Sequence, residues 1–89
     1  MDSKEFSISD FKKGKEEAIS WLVQKYKKAL YEIAFKITQN KETAMQVVHE
    51  TFYELKALRN TLHNLSEIEQ ILKDFTKESA KKKSSARKG

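Results

Sequence analysis

Apolar side chains recur along most of the chain at helical spacing, with polar and charged side chains between them. The longest such run places apolar residues one, three or four positions apart: Ala18, Ile19, Leu22, Val23, Tyr26, Leu30, Ile33, Ala34 and Ile37. Because an α-helix has 3.6 residues per turn, this spacing forms one stripe on a helix surface. It predicts a long helix from Glu16, where Glu16 and Glu17 complement the helix dipole of the first turn.

Two further helices are predicted on either side of this run. Capping residues at 7–11 precede a short helical turn that ends at Gly14. Asn40 is a good N-cap for a helix that follows the break at residues 38–40. Its inward face is predicted from the apolar spacing: Ala44, Val47, Val48, Thr51, Phe52, Leu55 and Leu58.

A last helix is predicted from the capping box Ser66-Glu67-Ile68-Glu69, because a serine there stands three residues before a glutamate. Its inward side chains are predicted to be Ile68, Ile71, Leu72 and Phe75, and the periodicity fades after Phe75. We therefore divide the chain into a frayed segment at 1–10, a helical domain at 11–80 and a basic tail at 81–89.

Composition strengthens the helical interpretation. The 89 residues suffice for one small domain, and they include no proline and two glycines, too few turn residues for an all-β fold. The lack of cysteine excludes disulfides and thiolate zinc sites. No apolar run approaches the roughly 20 residues of a membrane span. We expect an intracellular, all-α, compact bundle of three to four helices without membrane association.

The net charge of +5 is concentrated at one end of the chain. Residues 77–89 hold six basic side chains and one acidic one, so the preceding residues are neutral as a whole. A lysine-rich end is typical of phosphate contact. A solvated tail that aids solubility explains the same composition.

The sequence contains only incomplete motifs for catalysis or metal binding. His49-Glu50 resembles the start of a zinc-protease helix, but Tyr53 stands where the second histidine belongs. His63 has no second ligand at metal spacing, and the glutamate pairs stand at helix starts. A glycine-rich phosphate loop is absent. We therefore expect no enzymatic activity, no metal and no cofactor.

The outward face of the third helix is a candidate interaction surface. Its polar and aromatic residues recur at three- and four-residue intervals: Gln46, His49, Glu50, Tyr53 and Glu54. A ring, an imidazole and carboxylates on one face suit docking against another helix. An ordinary solvated face is the alternative interpretation.

The same helix carries a family resemblance. Residues 40–55, NKETAMQVVHETFYEL, resemble the core-binding helix of bacterial RNA polymerase sigma factors, whose pattern is a polar cap, Ala-Glu-Asp-Leu-Val-Gln-Glu-Thr-Phe and a leucine. Residues 14–26, GKEEAISWLVQKY, resemble the opening Gly-Asp/Lys-x-x-Ala-Phe-x-x-Leu-x-x-x-Tyr run, and residues 30–38 fit the helix between. The match covers residues 11–75 and is similar to the extracytoplasmic-function branch of the sigma-70 family.

The resemblance implies a region 2 domain of a bacterial, cytoplasmic transcription factor. In that family the third-helix face docks on the coiled coil of the polymerase's largest subunit, and the connector and last helix bind the promoter minus-ten element as single strand. Carried over by position, the polymerase-facing residues are Gln46, His49, Glu50 and Tyr53. The DNA-facing residues are Arg59, Asn60, His63, Asn64, Lys73, Lys77, Lys81 and Lys82. The family also admits an anti-sigma factor as a partner.

Two other functions stay open. The chain departs from the family pattern at Gln46, Ile71 and Glu78, which favours a sigma-like interaction module or regulator that has lost promoter opening. A non-specific nucleic-acid binder would use the lysine-rich end alone.

Overall fold

The computed structural model describes residues 6–88 of the chain and the side chains of residues 6–84. Across this range the protein is all-α and contains no strand, as predicted. The elements in chain order are α1 (Ile8–Lys12), α2 (Glu16–Thr38), α3 (Lys41–Ala57), a 3-10 turn (Arg59–Thr61) and α4 (Leu65–Lys88). The helices α2, α3 and α4 pack against one another, and α1 lies against α2.

The predicted helix boundaries near α1, α2 and α3 are confirmed. Ser7 accepts a hydrogen bond on Oγ from the Asp10 N–H at 3.2 Å, and Asn40 caps α3 by accepting on Oδ1 from the Thr43 N–H at 2.8 Å. Gly14 ends the short first helix with φ of 81°, a conformation that costs other residues steric energy. A Cβ at this glycine would also lie 3.3 Å from Nε of Arg59.

The buried stripe of α2 is narrower than the predicted one. Its buried positions lie four residues apart: Ala18, Leu22, Tyr26, Leu30, Ala34 and Thr38. A four-residue step advances about 40° round a helix, so this stripe winds round α2 and faces both α3 and α4. The other predicted members lie at its edges and are half-buried: Ile19, Val23, Ile33 and Ile37. Trp21, also half-buried, packs on Phe6 with ring centroids 5.0 Å apart.

Two hydrophobic clusters form the core. The larger cluster joins all four helices and the connector: Phe11, Ala18, Leu22, Tyr26, Leu30, Val48, Phe52, Leu55, Leu62, Ile68 and Leu72. The smaller one brings Ala34 of α2, Ala44 and Val47 of α3, and Ala80 of α4 together. Small side chains at this junction let three helix backbones approach closely, so α4 remains part of the packed domain as far as Ala80.

The predicted cap of α4 was wrong. The helix begins at Leu65, so Ser66 lies inside its first turn. Asn64 accepts on Oδ1 from the Glu67 N–H at 2.9 Å, and the Glu67 carboxylate accepts from the His63 N–H at 2.8 Å. An asparagine with a glutamate three residues later thus caps the helix in a manner similar to the predicted serine box, two positions upstream. Glu69 is then available to α2, where the Tyr26 hydroxyl donates to it at 2.7 Å.

The inward face of α4 also differs from the prediction. Ile68 and Leu72 are fully buried, but Ile71 and Phe75 are half-buried. The buried face continues past Phe75 through Thr76, Ser79 and Ala80. Hydropathy missed this continuation because two of these three residues are polar.

Helix α4 itself runs on through Lys88, across the residues expected to form a tail, and α1 begins at Ile8, inside the segment expected to be frayed. Residues 1–5 and Gly89 lie outside the described residues.

Candidate functional site

Four of the five residues of the predicted interaction surface of α3 are exposed. Gln46, His49, Glu50 and Tyr53 all lie on the solvent side, and Tyr53 is 73% exposed. Glu54, predicted on the same face, is half-buried. The opposite face holds the residues predicted to be inward, and six of those seven are buried: Ala44, Val47, Val48, Thr51, Phe52 and Leu55. We call the four exposed residues the α3 face.

A buried pair of hydroxyls holds α3 against α4 behind this surface. Thr51 and Thr76 are both fully buried, and their Oγ1 atoms lie 3.1 Å apart. Thr51 donates its hydroxyl proton to the Val47 carbonyl at 2.8 Å. Since a hydroxyl has one proton, Thr76 must be the donor in the bond between the two threonines. The orientation of α3 relative to α4 is therefore fixed by a polar contact as well as by packing.

Glu50 joins the α3 face to α4. Its Oε1 accepts from the Ser79 hydroxyl at 3.0 Å, and its Oε2 lies 3.0 Å from Nζ of Lys83. The Glu50 side chain is 49% exposed and that of Lys83 is 29% exposed. The carboxylate thus remains accessible at one edge, although its charge is paired within the domain.

Two of the predicted DNA-binding residues, Arg59 and Asn64, make hydrogen bonds within the domain. Arg59 is half-buried; its Nε donates to the Lys12 carbonyl at 3.2 Å and its Nη1 to the Lys56 carbonyl at 3.0 Å. The guanidinium therefore ties the connector to α1 and to the end of α3. Asn64 caps α4, as described above. Sequence alone assigned neither role: the Arg59 contact to Lys12 depends on where the connector turns, and the Asn64 cap stands two residues before the serine cap that was predicted instead.

The other two connector residues are exposed. Asn60 lies on the 3-10 turn, and the His63 ring presents Nδ1 to Nζ of Lys12 at 3.1 Å. In that contact the imidazole nitrogen is the acceptor, because a lysine ammonium has no lone pair. His63 thus lies between the end of α1 and the start of α4.

The four predicted DNA-binding lysines of α4 do not share one face. Lys73, Lys77 and Lys81 are exposed at four-residue spacing, which carries them gradually round one side of the helix. Lys82 lies about 100° from Lys81 and lines a groove on the other side. We call the first three the α4 lysine row.

That groove, between α3 and α4, was not predicted. It encloses about 430 Å³, and the half-buried side chains of Leu58, Ile71 and Phe75 provide its apolar lining. Its polar lining consists of Glu50, Asp74, Glu78, Ser79 and Lys82. Ile71 and Phe75 each stand about 100° from the buried positions that follow them, Leu72 and Thr76, which is why they open into the groove.

The titratable groups of the described residues show one clear perturbation. Burial, followed by the hydrogen bond to the Glu69 carboxylate and its charge, raises the pKa of the Tyr26 hydroxyl. This pair joins α2 to α4 in the core. Within the part of the chain that the structure describes, no group of three or more acidic or histidine side chains is arranged to hold a metal ion. No helix there is long and apolar enough to cross a membrane.

Comparison of the chain with protein-family models, with curated proteins and with solved structures found no match.

Proposed function

We propose that this chain is a sigma factor region 2-like domain that binds the RNA polymerase core through the α3 face and contacts promoter minus-ten DNA during transcription initiation. The observation that supports it best is the separation of the two sides of α3. Its aliphatic side is packed against α2 and α4, while Gln46, His49, Glu50 and Tyr53 point to solvent. A rigid helix with one free side is what docking on a coiled coil requires.

Tyr53 is the principal contact in this proposal. A tyrosine that is 73% exposed leaves a large ring in water without any packing within the domain to explain it. Tyrosine is enriched among the residues that dominate binding energy, because its ring buries apolar area and its hydroxyl keeps a hydrogen bond. Gln46 and His49 lie beside it on the preceding turns and supply polar contacts at the rim.

The α4 lysine row is the proposed contact for the DNA backbone. Lys73, Lys77 and Lys81 place three ammonium groups along about 12 Å of exposed helix. Such a row attracts phosphates without regard to sequence. Base recognition would then depend on the exposed connector residues, Asn60 and His63.

One observation favours the second candidate, an interaction module without promoter opening. Arg59 and Asn64 are held in contacts of the fold, and Lys82 lines a groove that also contains Asp74 and Glu78. Fewer residues are thus available to contact single-stranded promoter DNA than the sequence predicts. The α3 face is common to both candidates, so polymerase binding is the primary question and DNA binding the second.

The first experiment measures binding of the chain to a purified fragment of the polymerase largest subunit that contains its coiled coil. Tyr53→Ala is expected to weaken binding at least about tenfold, as for a central interface aromatic. Gln46→Ala should weaken it less, and Gln24→Ala, an exposed glutamine of α2, should have no effect. Glu50→Lys is expected to weaken binding too, but it also breaks the contacts to Ser79 and Lys83. Lack of binding by the unmodified chain, or equal binding by Tyr53→Ala, would contradict the proposal.

The second experiment separates the two candidates. A fluorescent single-stranded oligonucleotide with a minus-ten sequence is compared with a scrambled one at several salt concentrations. Sequence-selective binding supports promoter contact. Binding that is independent of sequence and vanishes at moderate salt favours the interaction module.

A further inference from the structure

The groove between α3 and α4 is separate from the α3 face except at Glu50, which contributes to both. Its apolar lining comes from Leu58, the residue that follows α3, and from two successive turns of α4 at Ile71 and Phe75. Together these side chains make an apolar strip that the core leaves half-uncovered. Tyr53, the principal contact in the proposed polymerase docking, does not line this strip.

The charges along the groove are unevenly distributed. Asp74 and Glu78, both exposed, lie beside Ile71 and Phe75 on α4. Asp74 accepts hydrogen bonds from the neutral amide of Gln70 at 3.1 Å, which leaves its charge in place. The cations stand at the other end, where Lys82 lines the groove and Lys83 pairs with Glu50. The apolar strip is therefore bordered by carboxylates over most of its length and by ammonium groups at one end.

The dimensions suit a helix. From Ile71 to Lys82 the groove follows α4 for about 16 Å, which matches about three turns of a partner helix. A helix laid between α3 and α4 would place apolar residues at every third or fourth position on Leu58, Ile71 and Phe75. Carboxylates at the border attract lysine or arginine on its flanks and repel the phosphates of a nucleic acid.

We propose that this groove binds an amphipathic helix of a partner protein whose apolar stripe is flanked by basic residues. The occupant differs from the polymerase coiled coil in position, because it lies on the α4 side of Glu50. This inference goes beyond the function proposed above and does not depend on it.

The test uses a synthetic peptide of about 18 residues, long enough to form a helix in water, with leucines at helical spacing and lysines beside them. A second peptide carries glutamates in place of the lysines. Binding to the full chain is measured by fluorescence anisotropy, and the bound site is located from backbone amide NMR shifts. The lysine peptide should bind and shift Ile71 and Phe75, and the glutamate peptide should bind at least about tenfold more weakly.

Charge exchange provides the matched control. The double variant Asp74→Lys, Glu78→Lys should bind the lysine peptide at least about tenfold more weakly than the unmodified chain does, and should bind the glutamate peptide more tightly. The variant Glu32→Lys, Glu42→Lys changes the net charge equally at exposed sites outside the groove and should bind both peptides as the unmodified chain does. Tyr53→Ala should also leave peptide binding unchanged, which separates this inference from polymerase docking.

Three results would overturn the inference. The first is failure of the lysine peptide to bind. The second is equal binding by the charge-exchanged and unmodified chains. The third is a different occupant, seen either as a dimer in sedimentation that Asp74→Lys, Glu78→Lys abolishes, or as shifts of Ile71 and Phe75 caused by single-stranded DNA.

Discussion

The buried threonine pair between α3 and α4 makes an asymmetric prediction about stability. Thr51→Val keeps the shape of the side chain but removes the acceptor for the Thr76 proton. A buried donor without a partner costs about 1–3 kcal/mol. Thr76 can recover part of this by turning toward the carbonyl one helical turn before it, which places the expected loss near the lower end, about 1–2 kcal/mol.

The reverse substitution is expected to cost much less. In Thr76→Val the hydroxyl of Thr51 keeps its 2.8 Å bond to the Val47 carbonyl and loses only a bond that it accepts. A net loss of about 0.5 kcal/mol or less follows, because the added methyl group gains buried apolar area. The double variant replaces both partners by apolar groups of the same shape and should resemble Thr76→Val rather than the sum of the two.

Urea unfolding followed by circular dichroism measures these differences. A loss of about 1 kcal/mol lowers the melting temperature of a domain of this size by about 4–8 °C, well above experimental scatter. Thermal melts of the unmodified chain, the two single variants and the double variant complete the double-mutant cycle. If Thr76→Val is as destabilising as Thr51→Val, or if the double variant equals the sum, the assigned direction of the hydrogen bond is incorrect.

Two further predictions concern contacts of α4. Tyr26→Phe removes the donor to Glu69 and should lower the free energy of unfolding by about 1 kcal/mol at pH 7. Because the folded-state pKa of Tyr26 is raised above its ordinary value of 10, its contribution to stability is complete below pH 10 and declines above it. The difference in free energy of unfolding between the two proteins, measured by urea unfolding, should therefore shrink above pH 10. A constant difference would contradict this. Asn64→Ala removes the N-cap and should cost about 1 kcal/mol in thermal melts, whereas Asn60→Ala should cost little; equal effects would exclude the capping role.

The residues named in the functional hypothesis differ in where the structure places them. Gln46, His49, Glu50 and Tyr53 lie where helical spacing placed them, because the side of a helix opposite its buried stripe faces solvent unless another element covers it. The promoter-contacting role proposed for the connector rests on less, because Arg59 is held by two backbone carbonyls. Its role in binding DNA stays a prediction.

Sequence by itself determined that the chain is helical, where the first three helices begin, and which side of α3 faces outward. Local signals sufficed, because the caps at Ser7 and Asn40, the glycine at position 14 and the 3.6-residue period act within a few residues of one another. The wrong prediction of Ser66 as the N-cap of α4 is also a matter of local sequence, because Asn64 and Ser66 are N-caps of similar strength two residues apart.

Tertiary structure decided what lies between the helices. Thr76, Ser79 and Ala80 are buried although hydropathy alone does not mark them, because α4 approaches α2 and α3 closely where side chains are small or hydrogen-bonded across the contact. The same approach leaves Ile71 and Phe75 facing a groove rather than the core. Helical period predicts which residues share a side, whereas the angle at which two helices meet determines how much of that side is covered.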